Sequence, residues 1–411
     1  MNDDLTKRAA VEYRNERERS EGAAARGKRP KPNGAELGAQ WARSEPPPRW
    51  NEAPPIGQKV RPNFRSLPDF CAEFRPISYA VAGLMREGSL YTLTGRTSEG
   101  KTAFLVILAL AVATGLGEKL IGRKVKQGRV AFCTAENPDD LRMRIMVACW
   151  VFNIDVRVID RDILISDNRV APEDIVEWIR DTGEKLTLIL VDTWQAYFDG
   201  RDPNNNAEAV SFTRRFRPLT STNGQPVVII AAHPPKQASN DDLLPYGGGG
   251  TLNEVDGNFT FRLDENGLCR FHWLGKIRGL SFDPLHFRID KLDSPDVVTV
   301  EGNRVQMPVM FPVGEEAVEE RAEAFAKLNL ALLKAIAAEP TGSERKWSAV
   351  TGLNRRSTRA ALGALRHDRL VALKARRWRL TKEGERMANE HAEHPENGPE
   401  NGRTSGEPTD A

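Results

Sequence analysis

Several kinds of protein are excluded by what this chain has little of. Its 411 residues hold 4 cysteines, Cys71, Cys133, Cys149 and Cys269, all far apart in sequence. They form no metal-ligand spacing and no disulfide framework, so a reducing compartment is expected. No apolar run approaches the roughly 20 residues of a membrane-spanning helix. The first residues are polar and charged, without the apolar segment of a secretory signal. The expectation is therefore a cytoplasmic protein with no membrane partner. An excess of one charge is missing too: 59 Lys and Arg stand against 57 Asp and Glu. That near balance hides strong local asymmetry. Hydrophobic residues make up 40% of the chain, a slightly low share that leaves part of it without a packed core.

What is present is a loop for phosphate. Gly95, Arg96, Thr97, Ser98, Glu99, Gly100, Lys101 and Thr102 fit G-x-x-x-x-G-K-[ST]. In such a loop, backbone N–H groups turn inward onto the phosphates. Lys101 reaches the β and γ phosphates, and the Thr102 hydroxyl holds Mg²⁺. Ala103 completes the binding segment. Ser89 to Thr94 before the loop reads as a buried strand, and Ala103 to Ala113 after it as a buried helix. Strand, loop and helix place a helix N-terminus toward the anion. The expected ligands are ATP and Mg²⁺.

The chain divides by composition. Residues 1–65 are rich in Arg, Glu, Ala, Gly and Pro, with 14 basic and 9 acidic residues, and read as disordered. From 66 to 313, apolar strands alternate with helical segments: strands at 128–135, 186–191 and 227–232, helices at 139–150 and 206–220. Alternation of this kind specifies an α/β fold with a mainly parallel sheet and helices on both faces. Further strands are expected at 258–263, 269–274 and 287–292. Residues 314–321 read as a linker. Residues 322–387 change character: helices at 322–338, 343–352 and 357–370, then a hairpin at 371–380, suggest a small winged helix. Between residues 354 and 382 there are 10 basic residues and 1 acidic. From 383 onward, 8 acidic residues face 2 basic ones, and residues 388–411 read as a disordered acidic tail.

Hydrolysis needs more than a phosphate loop. Asp192 ends the apolar run Leu188 to Val191 and is the candidate magnesium-organising acid. Thr193 follows it, so the base for water must come from elsewhere. Glu136, at the end of the strand after the phosphate-loop helix, is the best candidate; Asp139 and Asp140 read as first-turn helix acids. His233 ends another buried strand, where a polar side chain faces the ligand crevice of an open sheet, and could sense the γ-phosphate. Lys276 and Arg278 occupy alternate positions of a strand and share a face. They are candidate cations for the transferred phosphate, supplied to a neighbouring subunit. The run Gly247 to Gly250 reads as a mobile loop or a plain connector.

With these motifs in this order, the chain resembles the RecA/DnaB superfamily, and within it the RepA-like hexameric ATPases of plasmids and mobile elements. The resemblance covers about residues 66–313. It rests on Gly95–Thr102, Ala135 to Pro138 with Leu141, Arg142 and Arg144, Val191-Asp192, His233 with Lys236, and Lys276 with Arg278-Gly279. It implies a RecA-like core, a homo-hexameric ring with ATP between neighbours, single-stranded DNA in the ring and helicase activity in replication. It makes Lys276 and Arg278 trans-acting fingers and puts Gly247–Gly250 in the DNA-contacting loop region. That region is commonly Arg-Gly-Ser-Ser-like; here it carries no cation. The added C-terminal domain offers Arg355, Arg359, Arg366, Arg376, Arg377 and Arg379 as contacts to nucleic-acid phosphates, duplex DNA among them. A DNA-bound ATPase switch without unwinding shares the same residues.

Overall fold

The computed structural model describes residues 64–74, 76–239, 242–264, 267–374 and 377–393. The described residues fall into two units, divided between Ile77 and Ser78. Of the expected disordered segments, residues 1–63 and 394–411 lie outside the described residues. The first unit contributes α1, Leu67–Ala72, which has no buried residue.

The second unit opens with a small antiparallel pair, β1 (Tyr79–Val81) and β2 (Met85–Arg86). Then β3 (Leu90–Gly95) leads through the phosphate loop to α2 (Lys101–Thr114) and the short α3 (Gly117–Ile121). Next come β4 (Arg129–Thr134), α4 (Pro138–Phe152), β5 (Ile163–Ser166), α5 (Pro172–Thr182) and β6 (Leu186–Asp192). They are followed by α6 (Trp194–Tyr197), α7 (Asn206–Arg214), a 3-10 turn (Arg217–Ser221), β7 (Val227–Ala232) and α8 (Gly248–Glu254). Four strands close the sheet: β8 (Gly257–Leu263), β9 (Cys269–Ile277), β10 (Leu285–Leu292) and β11 (Met307–Val313). The order across the nine-stranded sheet is β11-β10-β9-β8-β3-β7-β6-β4-β5. From β8 to β5 the strands are parallel; β9, β10 and β11 follow on the other side of β8, each antiparallel to the strand before it.

The reason for this layering is visible in the strand sequences. Every residue of β3, β6 and β7 is buried, as continuous apolar runs require. Successive side chains point to opposite faces. Leu188 and Leu190 pack toward α2 and α4, whereas Ile189 and Val191 pack toward α5, α6 and α7. α2 is apolar on all sides and buried throughout most of its length, the signature of a central helix. Phe104 on α2 stacks against Phe271 at 4.9 Å between ring centres and meets Phe261 and Phe287 at 5.1 and 5.5 Å. This cluster ties the antiparallel strands to the phosphate-loop helix. The α/β fold with a mainly parallel sheet, expected from the alternation, is the fold found, and it is consistent with a RecA-like phosphate-loop core.

The C-terminal part runs α9 (Glu315–Ala338), α10 (Glu344–Thr351), α11 (Arg355–His367), the antiparallel hairpin β12 (Val371–Lys374) and β13 (Arg377–Leu380), and α12 (Lys382–Glu393). Its own core gathers Leu332, Leu333 and Ile336 of α9, Trp347, then Leu362, Leu365 and Val371. Trp378 packs against this cluster, and its indole N–H donates to Glu344 Oε1 at 3.0 Å.

Three expectations are corrected. The linker at 314–321 is helical from Glu315: Glu315, Glu316 and the alanines that follow are strong helix formers, with acids suited to a first turn. The tail expected from 388 instead continues as helix to Glu393. The glycine run, expected as a mobile loop or a plain connector, is helical from Gly248. It forms α8, and the glycines permit close packing on α7: a Cβ at Gly247 would sit 2.2 Å from that of Ala209, and one at Gly250 would sit 2.9 Å from the Asn206 carbonyl. Strands β5 and β11 were not foreseen. β5 is short and only partly buried at one sheet edge. β11 carries Pro308 and Pro312, residues that argue against an interior strand and are tolerated at the opposite edge.

Candidate nucleotide site

The sheet order explains where the site must be. β3 lies between β7 and β8, and β6 is next beyond β7. The residues that leave the C-terminal ends of these parallel strands therefore converge: Gly95 from β3, Asp192 from β6, His233 after β7 and Glu136 after β4. Together with Thr97–Ala103 they line one cavity of about 1180 Å³, except for Gly95, which ends β3 beneath the loop.

The loop is built by backbone geometry that side chains oppose. Gly100 has φ +99°, and a Cβ there would meet Ile289 Cδ1 at 2.6 Å and Met310 Cε at 2.8 Å. Strands β10 and β11 thus press directly on the loop, and only glycine fits. A Cβ on Gly95 would lie 2.7 Å from the Phe261 carbonyl oxygen. Ser98 takes φ +67°. The Glu99 carboxylate accepts from the Arg96 backbone N–H at 2.6 Å, closing the loop on itself, and the Arg96 guanidinium donates to the Ala238 carbonyl.

Lys101 is 6% exposed and opens α2. Its ammonium turns back into the loop, donating to the carbonyls of Gly95 at 2.7 Å and Arg96 at 3.0 Å, with His233 Nδ1 at 3.3 Å. Burial pushes its pKa down to about 8, against the opposing pull of Asp192, Glu99 and Glu136. His233 is held below its ordinary value by burial and then by Lys101, which suits an imidazole accepting at Nδ1. Gln195 clamps the His233 backbone from both sides: its Nε2 donates to the His233 carbonyl and its Oε1 accepts from the His233 N–H, each at 3.3 Å.

Asp192 is 4% exposed. Its Oδ2 accepts from the Thr102 hydroxyl at 2.8 Å, while Oδ1 is buried without a partner. Burial raises its pKa to about 6, the Thr102 bond and Lys101 opposing and Glu136 adding to the rise. An orphaned buried carboxylate oxygen beside a threonine hydroxyl fits a hard cation that keeps most of its ligands from water and phosphate. Among the described residues no cluster of three or more His, Cys, Asp or Glu could hold a metal by itself. Glu136 faces the cavity, and its Oε1 accepts from the Thr193 hydroxyl at 2.6 Å.

Other candidates lie elsewhere. Lys276 donates to the carbonyls of Leu252 and Asn253 at 3.0 and 2.9 Å, at the end of α8. Arg278 pairs with Asp256 at 3.1 Å and is largely exposed. Neither lines the cavity. Arg355 and Arg377 line a separate groove in the C-terminal part, together with Arg345 and Trp378. Arg359 stands 3.5 Å from Glu344; Arg366 and Arg379 are exposed. Arg376 lies outside the described residues.

Sequence reasoning missed three parts of the site. Thr193 was noted only for not being glutamate, yet it orients Glu136. Gln195 follows three positions after Asp192 on the same connection, a proximity that could have flagged it. The ion pair of Arg144 with Asp140 also lines the cavity, although Asp140 reads as an ordinary first-turn acid.

Residues 61–239 match a family model described as an AAA domain. That span holds the phosphate loop, Glu136, Asp192 and His233. No curated protein matches the chain. Among the described residues no helix is long and apolar enough to cross a membrane. This part of the protein is a phosphate-loop ATPase domain.

Proposed function

We propose that the protein is an ATP-hydrolysing DNA translocase or helicase of the RepA type, acting as a homo-hexamer in replication of a plasmid, phage or other mobile element. The observation that carries the reading is the convergence of Lys101, Thr102, Asp192, Glu136 and His233 on one cavity. In the reaction, Lys101 leaves the Gly95 and Arg96 carbonyls for the β and γ phosphates. Glu136, oriented by Thr193, takes a proton from water as its oxygen attacks the γ-phosphorus and the bond to the β-phosphate oxygen breaks. Thr102 and Asp192 would hold Mg²⁺, which neutralises phosphate charge when bound. His233 touches Lys101 and so reports loss of the γ-phosphate to β7 and the segment beyond. Lys276 and Arg278 act on a neighbouring subunit's nucleotide. The winged-helix-like C-terminal part binds DNA phosphates through its arginines.

A second reading, a DNA-bound ATPase switch without unwinding, is favoured by one observation. Gly247 and Gly250 of the glycine run pack against α7 and the run bears no cation, which leaves DNA contact to the C-terminal arginines.

The test is ATP hydrolysis by the purified chain with and without single-stranded DNA at low salt, with its mass in solution. DNA-stimulated turnover by a hexamer-sized species, lost in Lys101→Ala, supports the translocase. Turnover indifferent to DNA from a monomer favours the switch. Near-normal turnover by Lys101→Ala removes the phosphate-loop mechanism.

A further inference from the structure

The nucleotide cavity has a wall that the phosphate-loop core does not supply. Beyond the loop, one side is formed by Leu263, Ile289, Met307 and Pro308 of β8, β10 and β11. α9 adds Arg321, Ala324, Phe325 and Leu328 to the lining of the same cavity. Their spacing, i, i+3, i+4 and i+7, is one face of a helix. α9 has 24 residues, about 36 Å of helix, but its buried residues are Leu332, Leu333, Ala335 and Ile336. Its C-terminal half serves the C-terminal core, while Arg321 to Leu328 on the earlier half border the cavity.

α11 borders the same cavity through Ser357, Ala360 and Ala361, the last also part of the C-terminal core, with Leu353 just before the helix. At about 100° per residue, these positions lie on the side of α11 roughly opposite Arg355, Arg359 and Arg366. Thr358, Leu362 and Leu365 occupy the buried side between. One helix thus presents small and apolar groups to the nucleotide cavity, a third face to its own core, and arginines outward.

We propose that the C-terminal segment completes the nucleotide site of its own chain. Phe325 and Leu328 cover the base and ribose against Ile289, Met307 and Pro308. Arg321 adds a positive charge to the ligand's surroundings. α11 then links nucleotide occupancy to the position of its outward arginines, so nucleotide and DNA affinities are coupled within one chain. The chemistry is that of a purine nucleoside triphosphate: phosphates on the loop and an aromatic base on an apolar wall with one aromatic ring. This rests on the nucleotide reading above.

The test is calorimetric titration of the full chain with ATPγS and Mg²⁺, and separately with inorganic tripolyphosphate, which has no base. Phe325→Ala should weaken ATPγS about tenfold and leave tripolyphosphate unchanged. Phe325→Leu should recover part of the loss. Arg321→Ala, a change at an exposed residue, should weaken both ligands. In wild type, affinity for a labelled duplex should differ about fivefold or more with and without ATPγS. By reciprocity, the duplex should change ATPγS affinity by the same factor. In Phe325→Ala that factor should collapse.

Binding of ATPγS by both variants to within about twofold of wild type overturns the proposal while leaving the phosphate-loop reading intact. Failure of the wild type to bind ATPγS overturns both. A duplex-affinity shift of full size in Phe325→Ala overturns the coupling, whatever the binding data show.

Discussion

The nucleotide cavity and the C-terminal surface handle charge in opposite ways. Lys101 and Asp192 are almost fully buried, each held by named partners, and their ionisation is displaced by burial. Arg355, Arg366, Arg377 and Arg379 are exposed. In the first region each charge has one job in one place, so removing one should abolish a step. In the second, charges act as a sum against a phosphate backbone, and removing one should subtract a share.

Arg278 is the residue most able to break this comparison. It is exposed like the C-terminal arginines, yet the proposed trans-finger role requires it to behave like the buried site. Arg278→Ala should bind ATP and lose on the order of 10³-fold in turnover. Mixed with Glu136→Gln in shared rings, it should recover activity, since each variant supplies the half-site the other lacks. A loss of only a few-fold would return Arg278 to the additive class. Glu136→Gln alone should lower turnover by about 10²-fold or more while retaining ATP affinity, measured by single-turnover hydrolysis beside nucleotide titration.

The buried class carries a stability signature as well. A carboxyl whose folded pKa is raised costs the folded state stability as pH climbs from the ordinary value near 4 to about 6. Above that the cost is constant. Asp192→Asn should therefore raise the melting temperature of the nucleotide-free protein by a few degrees at pH 7.5. The gain should be smaller at pH 5, where the folded carboxyl is mostly protonated. Equal gains at both values would mean that burial of charge is not the cause. The smallest effect belongs to the exposed class. Arg355→Ala should weaken duplex binding only a few-fold and lower the slope of log affinity against log salt by about 1. A loss on the scale of Arg278 would show a specific contact and dissolve the contrast.

Much of the nucleotide site could be read from the chain because its parts sit at the ends of apolar strands. Asp192, Glu136 and His233 each follow a run of buried residues, and a parallel sheet brings such ends to one edge. The glycine run was misread because composition cannot show that Gly247 and Gly250 face α7 rather than water. β11 was missed because its two prolines suppress the strand pattern. The C-terminal wall of the cavity was invisible for a different reason. Phe325 and Leu328 read as the apolar stripe of an amphipathic helix, and periodicity says which residues share a face, not what that face meets.

The prolines of β11 also restrict how copies of this protein can meet. Pro308 and Pro312 stand an even number of residues apart on an edge strand, so both amide hydrogens are missing from the same side. β10 already uses the inward side of β11 along its whole length. A second chain offering a strand to the outer edge would find a broken row of donors there. Sheet extension is disfavoured at that margin, which leaves β5 as the edge of this sheet with an unbroken row of donors.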